Sequence, residues 1–245
     1  GSDHSAAAIA RILDAKKLIL WKDVDGILSI NPRWGVSVKA VPYLGYDEAR
    51  ELSRMDAPVV HHTTMAPVKD CGIPIEIRNL HSPSKSYAPT VIGPNIIQTS
   101  QLKAIGCMRS IARITAEVGD VSNQSKLLGQ ILIHLDRENI TCWSVESRPS
   151  TIDIVVSQQQ LTIAENIIET RLLITNVDLF SCLISFIGTN SREIVERRLQ
   201  QVNSKISDLR FLNSTKLSVQ YVANTNDIKQ LMSQLSTVIE EKPNV

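Results

Sequence analysis

Little in this chain of 245 residues points toward a charged polymer or a membrane. The formal net charge is +1, too small to draw nucleic acid or an anionic surface. The four cysteines, Cys71, Cys107, Cys142 and Cys182, are far apart and form no C-x-x-C pair. That argues against a disulfide framework or a cysteine zinc site, and for reduced thiols in a cytoplasm. No apolar run approaches the roughly 18 residues of a membrane span, and no charged-then-apolar leader opens the chain. A soluble, cytoplasmic protein is expected, with neither nucleic acid nor membrane as partner. The sequence also lacks a start methionine and opens inside a motif, so it reads as a fragment of something longer. Its length and apolar content suit two domains, or one and a fraction.

What is present gathers around Trp21 to Arg33, WKDVDGILSINPR. Leu18-Ile19-Leu20-Trp21 is a continuous apolar run, as expected of a strand covered on both faces. An acidic turn follows at Asp23-Val24-Asp25-Gly26, then a short Ile27-Leu28 return and an Asn31-Pro32 turn backed by Arg33. In open α/β sheets, ligands sit at the carboxyl ends of strands. Carboxylates there can take ribose hydroxyls or a metal, and an arginine can take phosphate. The turn is not an EF-hand loop, because a third acidic ligand before the glycine and a closing glutamate are both missing. Without its neighbours, a D-x-D-G turn could also be a solvated turn and nothing more.

This stretch resembles the nucleotide-binding signature of aspartate kinases. Gly1-Ser2-Asp3-His4-Ser5-Ala6 is similar to the family's G-S-D-x-[ST]-A. Val59-Val60-His61-His62 and then Ile73 to Asn79 (IPIEIRN) resemble its later motifs, in order and spacing. The resemblance is close up to about residue 90 and looser beyond.

The elements alternate. Asp3 to Lys16 reads as a helix with Ser2-Asp3 as its capping pair, Tyr46 to Met55 as a second helix and Thr63 to Asp70 as a short third. Ile73–Arg78 and Thr90–Ile92 read as strands, which together with the helices means α/β layering. The Ser- and Pro-rich stretch 79–93 reads as a loop leading to a boundary at 94–101. Beyond it, strand, helix, strand, strand, helix recurs twice at a period of about seventy residues, the ferredoxin-like plan. The expected fold is therefore α/β over 1–95, followed by two α+β units at 101–174 and 175–245. The resemblance implies that the first part is the carboxyl-terminal portion of an amino-acid-kinase domain and that the two units are ACT domains. In the family the second unit is commonly inserted into the first, so that the carboxyl terminus would complete the earlier sheet.

By the same resemblance the parent would convert ATP and L-aspartate to 4-phospho-L-aspartate with Mg2+, at the head of lysine, threonine and methionine synthesis. Ser2 and Asp3 would hold aspartate, with Asp3 catalytic; plain helix capping is the other reading, weighed evenly for Ser2. Lys22, Asp23, Leu28, Arg33, Pro58 and Val59 would line the nucleotide site. Leu28 stands where relatives carry tyrosine. Pro58 stands where the family places a phosphate-contacting lysine, and a lost charged contact costs about 1.5–3 kcal/mol. No K-x-G-G-[ST] opening occurs in the chain, so this chain alone is expected not to catalyse. An amino-acid effector, lysine by family default, would meet Val121, Ser122, Gln124, Leu127 and Leu128 at a helix start, with Thr141 and Cys142 opposite. Leu127 and Leu128 could equally be ordinary core, the favoured reading for Leu127. Trp143 replaces an acidic residue common in lysine-sensitive relatives, which leaves the effector open. His61-His62 reads as a packed or loop pair whose side chains point apart, and no metal site is assigned. A homodimer through the ACT units is expected. The rival readings are a non-catalytic amino-acid-binding regulatory subunit and a structural dimerisation module.

Overall fold

A computed structural model of the chain describes residues 1–55, 59–81, 89–96, 100–202 and 209–240. Two compact units emerge. One comprises residues 1–107 with 184–221 and 227–245; the other comprises 108–183 with 222–226.

The first unit opens with α1 (Ser2–Ile12) and β1 (Leu18–Lys22). Helix α1 begins at Ser2 with Gly1 as its cap and no side-chain cap bond. The expected Ser2-Asp3 cap is thus replaced by two residues already inside the first turn, because Asp3 turns its carboxylate to Lys22 instead. The helix stops short of Lys16, where Asp14 adopts a left-handed φ of 46°.

Strands β2 (Tyr43–Gly45), β3 (Ile75–Asn79) and β4 (Thr90–Gly93) join β1 in a mixed four-stranded sheet of order β1-β3-β4-β2. β1 runs parallel to β3 and β2 parallel to β4, whereas β3 and β4 are antiparallel. Among the described residues β1 is an edge strand. Trp21 is accordingly 49% exposed, and the expectation of a strand covered on both faces fails there. Helices α2 (Tyr46–Ser53) and α3 (Ala66–Lys69) belong to the same unit. The core beneath joins Leu20, Leu44, Tyr46, Ile75, Ile77 and Ile92, all nearly or fully buried.

The remaining elements follow the order β5 (Ala104–Glu117), α4 (Gln124–Arg137), β6 (Ser144–Ser147), β7 (Thr151–Ser157), α5 (Leu161–Glu169), then β8 (Leu173–Ile187), α6 (Arg192–Val202), β9 (Leu209–Ser214), β10 (Ser218–Ala223), α7 (Ile228–Glu240). Strand, helix, strand, strand, helix therefore occurs twice. In the second unit the strand order is β6-β7-β5-β8, with β5–β7 and β6–β7 antiparallel. Even-numbered residues of β5 and β7, such as Ile114 and Ile154, share a core with Ile131 and Leu135 of α4 and Ile168 of α5. This is the period-2 pattern of a sheet against the helix stripe. In the first unit β8 is followed across the sheet by β10 and then β9.

No helix among the described residues is long and apolar enough to cross a membrane.

Candidate functional site

The carboxyl end of β1 and the turn beyond it form one wall of a cavity of about 490 Å³. That volume lies in the range of small-molecule sites. The turn is fixed from below. Gly26 has a φ of 126°, and a Cβ there would stand 2.6 Å from the Thr90 hydroxyl oxygen. That oxygen accepts the Ile27 N–H at 2.9 Å and donates its own proton to the Val41 carbonyl at 2.8 Å. Ser29 and Lys39 pair back to back, with Ser29 N–H donating to the Lys39 carbonyl at 2.8 Å. The Asn79 amide donates to Asp25 at 2.7 Å, and Leu80 N–H to the Lys22 carbonyl at 2.7 Å. The turn is thus anchored on three strands, which is what a rigid ligand platform requires.

Lys22, Asp23, Leu28, Arg33 and Val59 all line this cavity. Pro58 lies outside the described residues. Asp23 is exposed, and no cation pairs with it among the described residues. Arg33 sits in a 3-10 turn, Pro32–Trp34, capped by Asn31, whose side-chain oxygen accepts the Arg33 N–H at 3.0 Å. Its guanidinium meets no carboxylate among the described residues, so it can accept a phosphate. Lys22 differs: its ammonium donates to both oxygens of Asp3, at 2.9 and 2.7 Å, with the two side chains 23% and 15% exposed. The start of α1 is therefore tied to the end of β1 through Lys22, which lines the cavity, although no α1 residue lines it itself.

Several lining residues carried no signal in sequence. Asn31 buries its amide nitrogen without a hydrogen-bond acceptor among the described residues. Ala49, Leu52 and Ser53 of α2 supply one flank, and Ile105, Gly106 and Cys107 of β5 another. Gly106 permits this approach, because a Cβ there would stand 2.4 Å from Met55 Cγ. Such long-range walls have no local periodicity to announce them.

The histidine pair differs from expectation. The His61 and His62 rings lie 4.2 Å apart, tilted by 31°, because the backbone passes from extended at His61 into the 3-10 turn His62–Thr64. Burial, then His61, Arg54 and Arg50, push the His62 pKa down, so this imidazole favours its neutral form. Among the described residues no group of three His, Cys, Asp or Glu side chains could hold a metal ion.

Comparisons with known proteins fall on the same region. The amino acid kinase family profile matches residues 1–79. Aspartokinase 1 of Arabidopsis thaliana, a chloroplastic protein, is 26% identical over 91% of this chain and 42% of its own length. The bifunctional aspartokinase/homoserine dehydrogenase of Buchnera aphidicola is 31% identical over 57% of this chain and 17% of its own. The chain is similar to aspartokinases. It spans about half the length of the aspartokinases it matches over nearly its full extent. The fold agrees with solved aspartokinases. The Clostridium acetobutylicum aspartate kinase superposes with a TM-score of 0.79 at 21% identity, over 98% of this chain and 58% of that one. E. coli aspartokinase III in complex with aspartate and ADP gives 0.76 at 19% identity, over 98% and 56%.

A second group of candidate residues lies in the other unit. Val121 and Ser122 sit in a 3-10 turn, Val121–Asn123, that leads into α4, and Gln124 is the first residue of that helix. The Ser122 N–H is taken by Asp120, whose carboxylate also accepts from the Ser122 hydroxyl and the Asn123 amide at 2.7 and 2.9 Å. These hydrogen bonds, Ser122 first, hold the Asp120 carboxyl below its usual pKa. The Gln124 side chain donates to the carbonyl of Arg148 and, at 3.5 Å, to that of Thr151, so it braces the β6–β7 turn. Leu127, Leu128 and Cys142 are partly buried against the unit's core. Thr141 and Cys142 lie in the loop that precedes β6, which starts at Ser144.

Proposed function

We propose that this chain is the nucleotide-facing and regulatory portion of an aspartate kinase. The observation that carries the reading is the Lys22–Asp3 contact. It joins the G-S-D segment, where aspartate would bind, to the W-K-D-V-D-G turn, where the nucleotide would bind, beside the cavity that Lys22 lines. Phosphoryl transfer is largely positioning and charge stabilisation, and both need such a junction. In this reading Asp23 takes ribose hydroxyls, Arg33 the phosphates, Leu28 and Val59 the apolar face of the base, and Ser2 and Asp3 the aspartate substrate. The apolar walls and the unpaired Arg33 suit ATP. Mg2+ would supply charge neutralisation when bound, and exposed Asp23, which lines the cavity, with half-buried Asp25 two residues on would hold it.

Titration of the purified chain with ADP and Mg2+ tests this. Saturable binding that weakens at least about tenfold in Arg33→Ala supports it; equal binding by that variant overturns it. The chain alone is proposed not to phosphorylate aspartate, and detectable ATP-dependent 4-phosphoaspartate from the pure chain would refute that point.

The two strand-helix-strand-strand-helix repeats are read as ACT-like units that receive an amino-acid effector at Val121, Ser122, Gln124, Leu127 and Leu128, facing Thr141 and Cys142. Asp120 supports this, as an acidic group able to meet an ammonium. Lysine is the first effector to titrate, and loss of its binding in Gln124→Ala is the expected result. Strand β6, at the end of its sheet order among the described residues, is the proposed edge for homodimer pairing. Pro58, in place of the family's lysine, favours a second reading, a non-catalytic regulatory subunit. Absent ADP binding with intact amino-acid binding would select it.

A further inference from the structure

A second cavity, of about 260 Å³, lies in the first unit away from the proposed nucleotide wall. Its polar lining consists mainly of donors: Lys39, Gln101, Lys103, Ser29 and Thr189. Lys103 is the decisive member. Its side chain is only 7% exposed, yet among the described residues its ammonium has one acceptor, Glu48, at 2.6 Å. A lysine ammonium has three N–H groups, and buried ones find partners. The Tyr43 ring, 5.6 Å away, offers only a face. Glu48 itself is fully engaged: one oxygen also accepts the Gly45 N–H at 2.7 Å, and the other accepts the Thr189 hydroxyl at 3.0 Å.

Charge then specifies the ligand. Lys103 and Glu48 cancel, and Lys39 leaves one positive charge, since its side chain meets no carboxylate among the described residues. The Gln101 amide is likewise without a side-chain partner among them. Among the described residues no carboxylate lines the cavity to receive an ammonium, while Val41, Pro42, Ile96 and Ile239 give it an apolar wall. We propose that this cavity binds a small aliphatic monocarboxylate lacking an α-ammonium group, its carboxylate held between Lys103 and Lys39. The cavity is smaller than a typical drug-sized site, which restricts the ligand to a short chain. Such a ligand would touch Lys103 and Thr189, both bonded to Glu48 on α2, the helix whose Ala49 and Leu52 line the larger cavity. The site does not depend on the kinase reading, and it differs from an amino-acid effector site in rejecting the ammonium.

The test is ligand-observed NMR and titration calorimetry on the full chain with isovalerate as probe. Saturable binding is expected, unchanged by saturating ADP. Lys39→Met, at an exposed side chain that the fold does not need, should weaken it at least about tenfold. Isovaleramide, uncharged and of the same shape, and valine, which adds only the α-ammonium, should each bind at least about tenfold more weakly than isovalerate. No saturable binding of isovalerate, equal binding by Lys39→Met, or equal binding of the amide or of valine would each overturn the assignment.

Discussion

The ammonium of Lys22 sits 2.7 Å from one carboxylate oxygen of Asp3 and 2.9 Å from the other, although nineteen residues separate them in the chain. The pair is mostly shielded, so removing one partner strands the other. Lys22→Met should destabilise the protein by about 1–3 kcal/mol, the cost of an unsatisfied, partly buried charge. Adding Asp3→Asn should recover part of that loss. Urea denaturation of the two single variants and the double variant measures the coupling, and strict additivity would mean the contact contributes nothing.

Gly26 predicts a larger local effect. Its φ of 126° and the 2.6 Å approach to the Thr90 oxygen leave no room for a methyl group. Gly26→Ala should cost about 1–3 kcal/mol from backbone strain, and more where Thr90 is pushed off its bonds to Ile27 and Val41. Thr90→Val removes the same two bonds without the strain. Comparing the unfolding midpoints of both variants separates the contributions.

Asp47 gives a pH dependence. Burial pushes its carboxyl pKa up, but hydrogen bonds from Lys69 and Asn95, and the charges of Lys69 and Arg50, more than reverse this, leaving the pKa lowered. A carboxyl with a depressed folded pKa adds stability that is complete above its unfolded value, near 4, and fades as pH falls through the folded value. Asp47→Asn should therefore be less stable than the parent at neutral pH, by about 1 kcal/mol given the exposed partners. The two should converge as pH falls below the depressed folded pKa. Thermal melts of both proteins from neutral to acid pH would show the convergence, and a constant gap would argue against the ion pairs.

Gln124 braces the β6–β7 turn through the carbonyls of Arg148 and Thr151. Gln124→Ala should release that turn at a cost of about 1 kcal/mol. Amide hydrogen exchange should quicken at residues 148–151, while the β5–β7 pairing from Ile111 to Glu117 stays protected.

Sequence pattern located most elements, because core-facing positions in this chain are apolar at the right period. Residues 192–202 show the helix stripe, and 152–156 are an unbroken apolar-rich strand. It also found the cavity's near wall, since a turn glycine, carboxylates and an arginine cluster locally. It missed what is decided at a distance. Strand β5 begins at Ala104, well before the apolar run from Ile111, because Ile105-Gly106-Cys107 becomes a strand only by pairing and by packing on α2. Strand β8 begins at Leu173, in a stretch where Asn176 and Asp178 hide the alternation. Trp21 read as buried because its neighbours are apolar, yet sheet order places it at an edge. Asp120 was overlooked because its role lies in a capping geometry that composition does not reveal.

The walls contributed by Ile105, Gly106 and Cys107 bear on how the cavity comes into being during synthesis. Ile105 N–H donates to the Ser29 carbonyl at 2.7 Å, and the Glu48–Thr189 bond spans 141 residues. A ribosome that has released only the kinase-profile segment has made the near wall, but neither Thr90, which fixes its turn, nor the enclosure. Early, half-walled intermediates would present Leu52, Met55 and Val60 to solvent, so chaperone dependence should track translation through the later strands. Excising the kinase-profile segment as a stand-alone module would freeze the chain at that open stage, and its apolar groove would then be a site of aggregation rather than of binding.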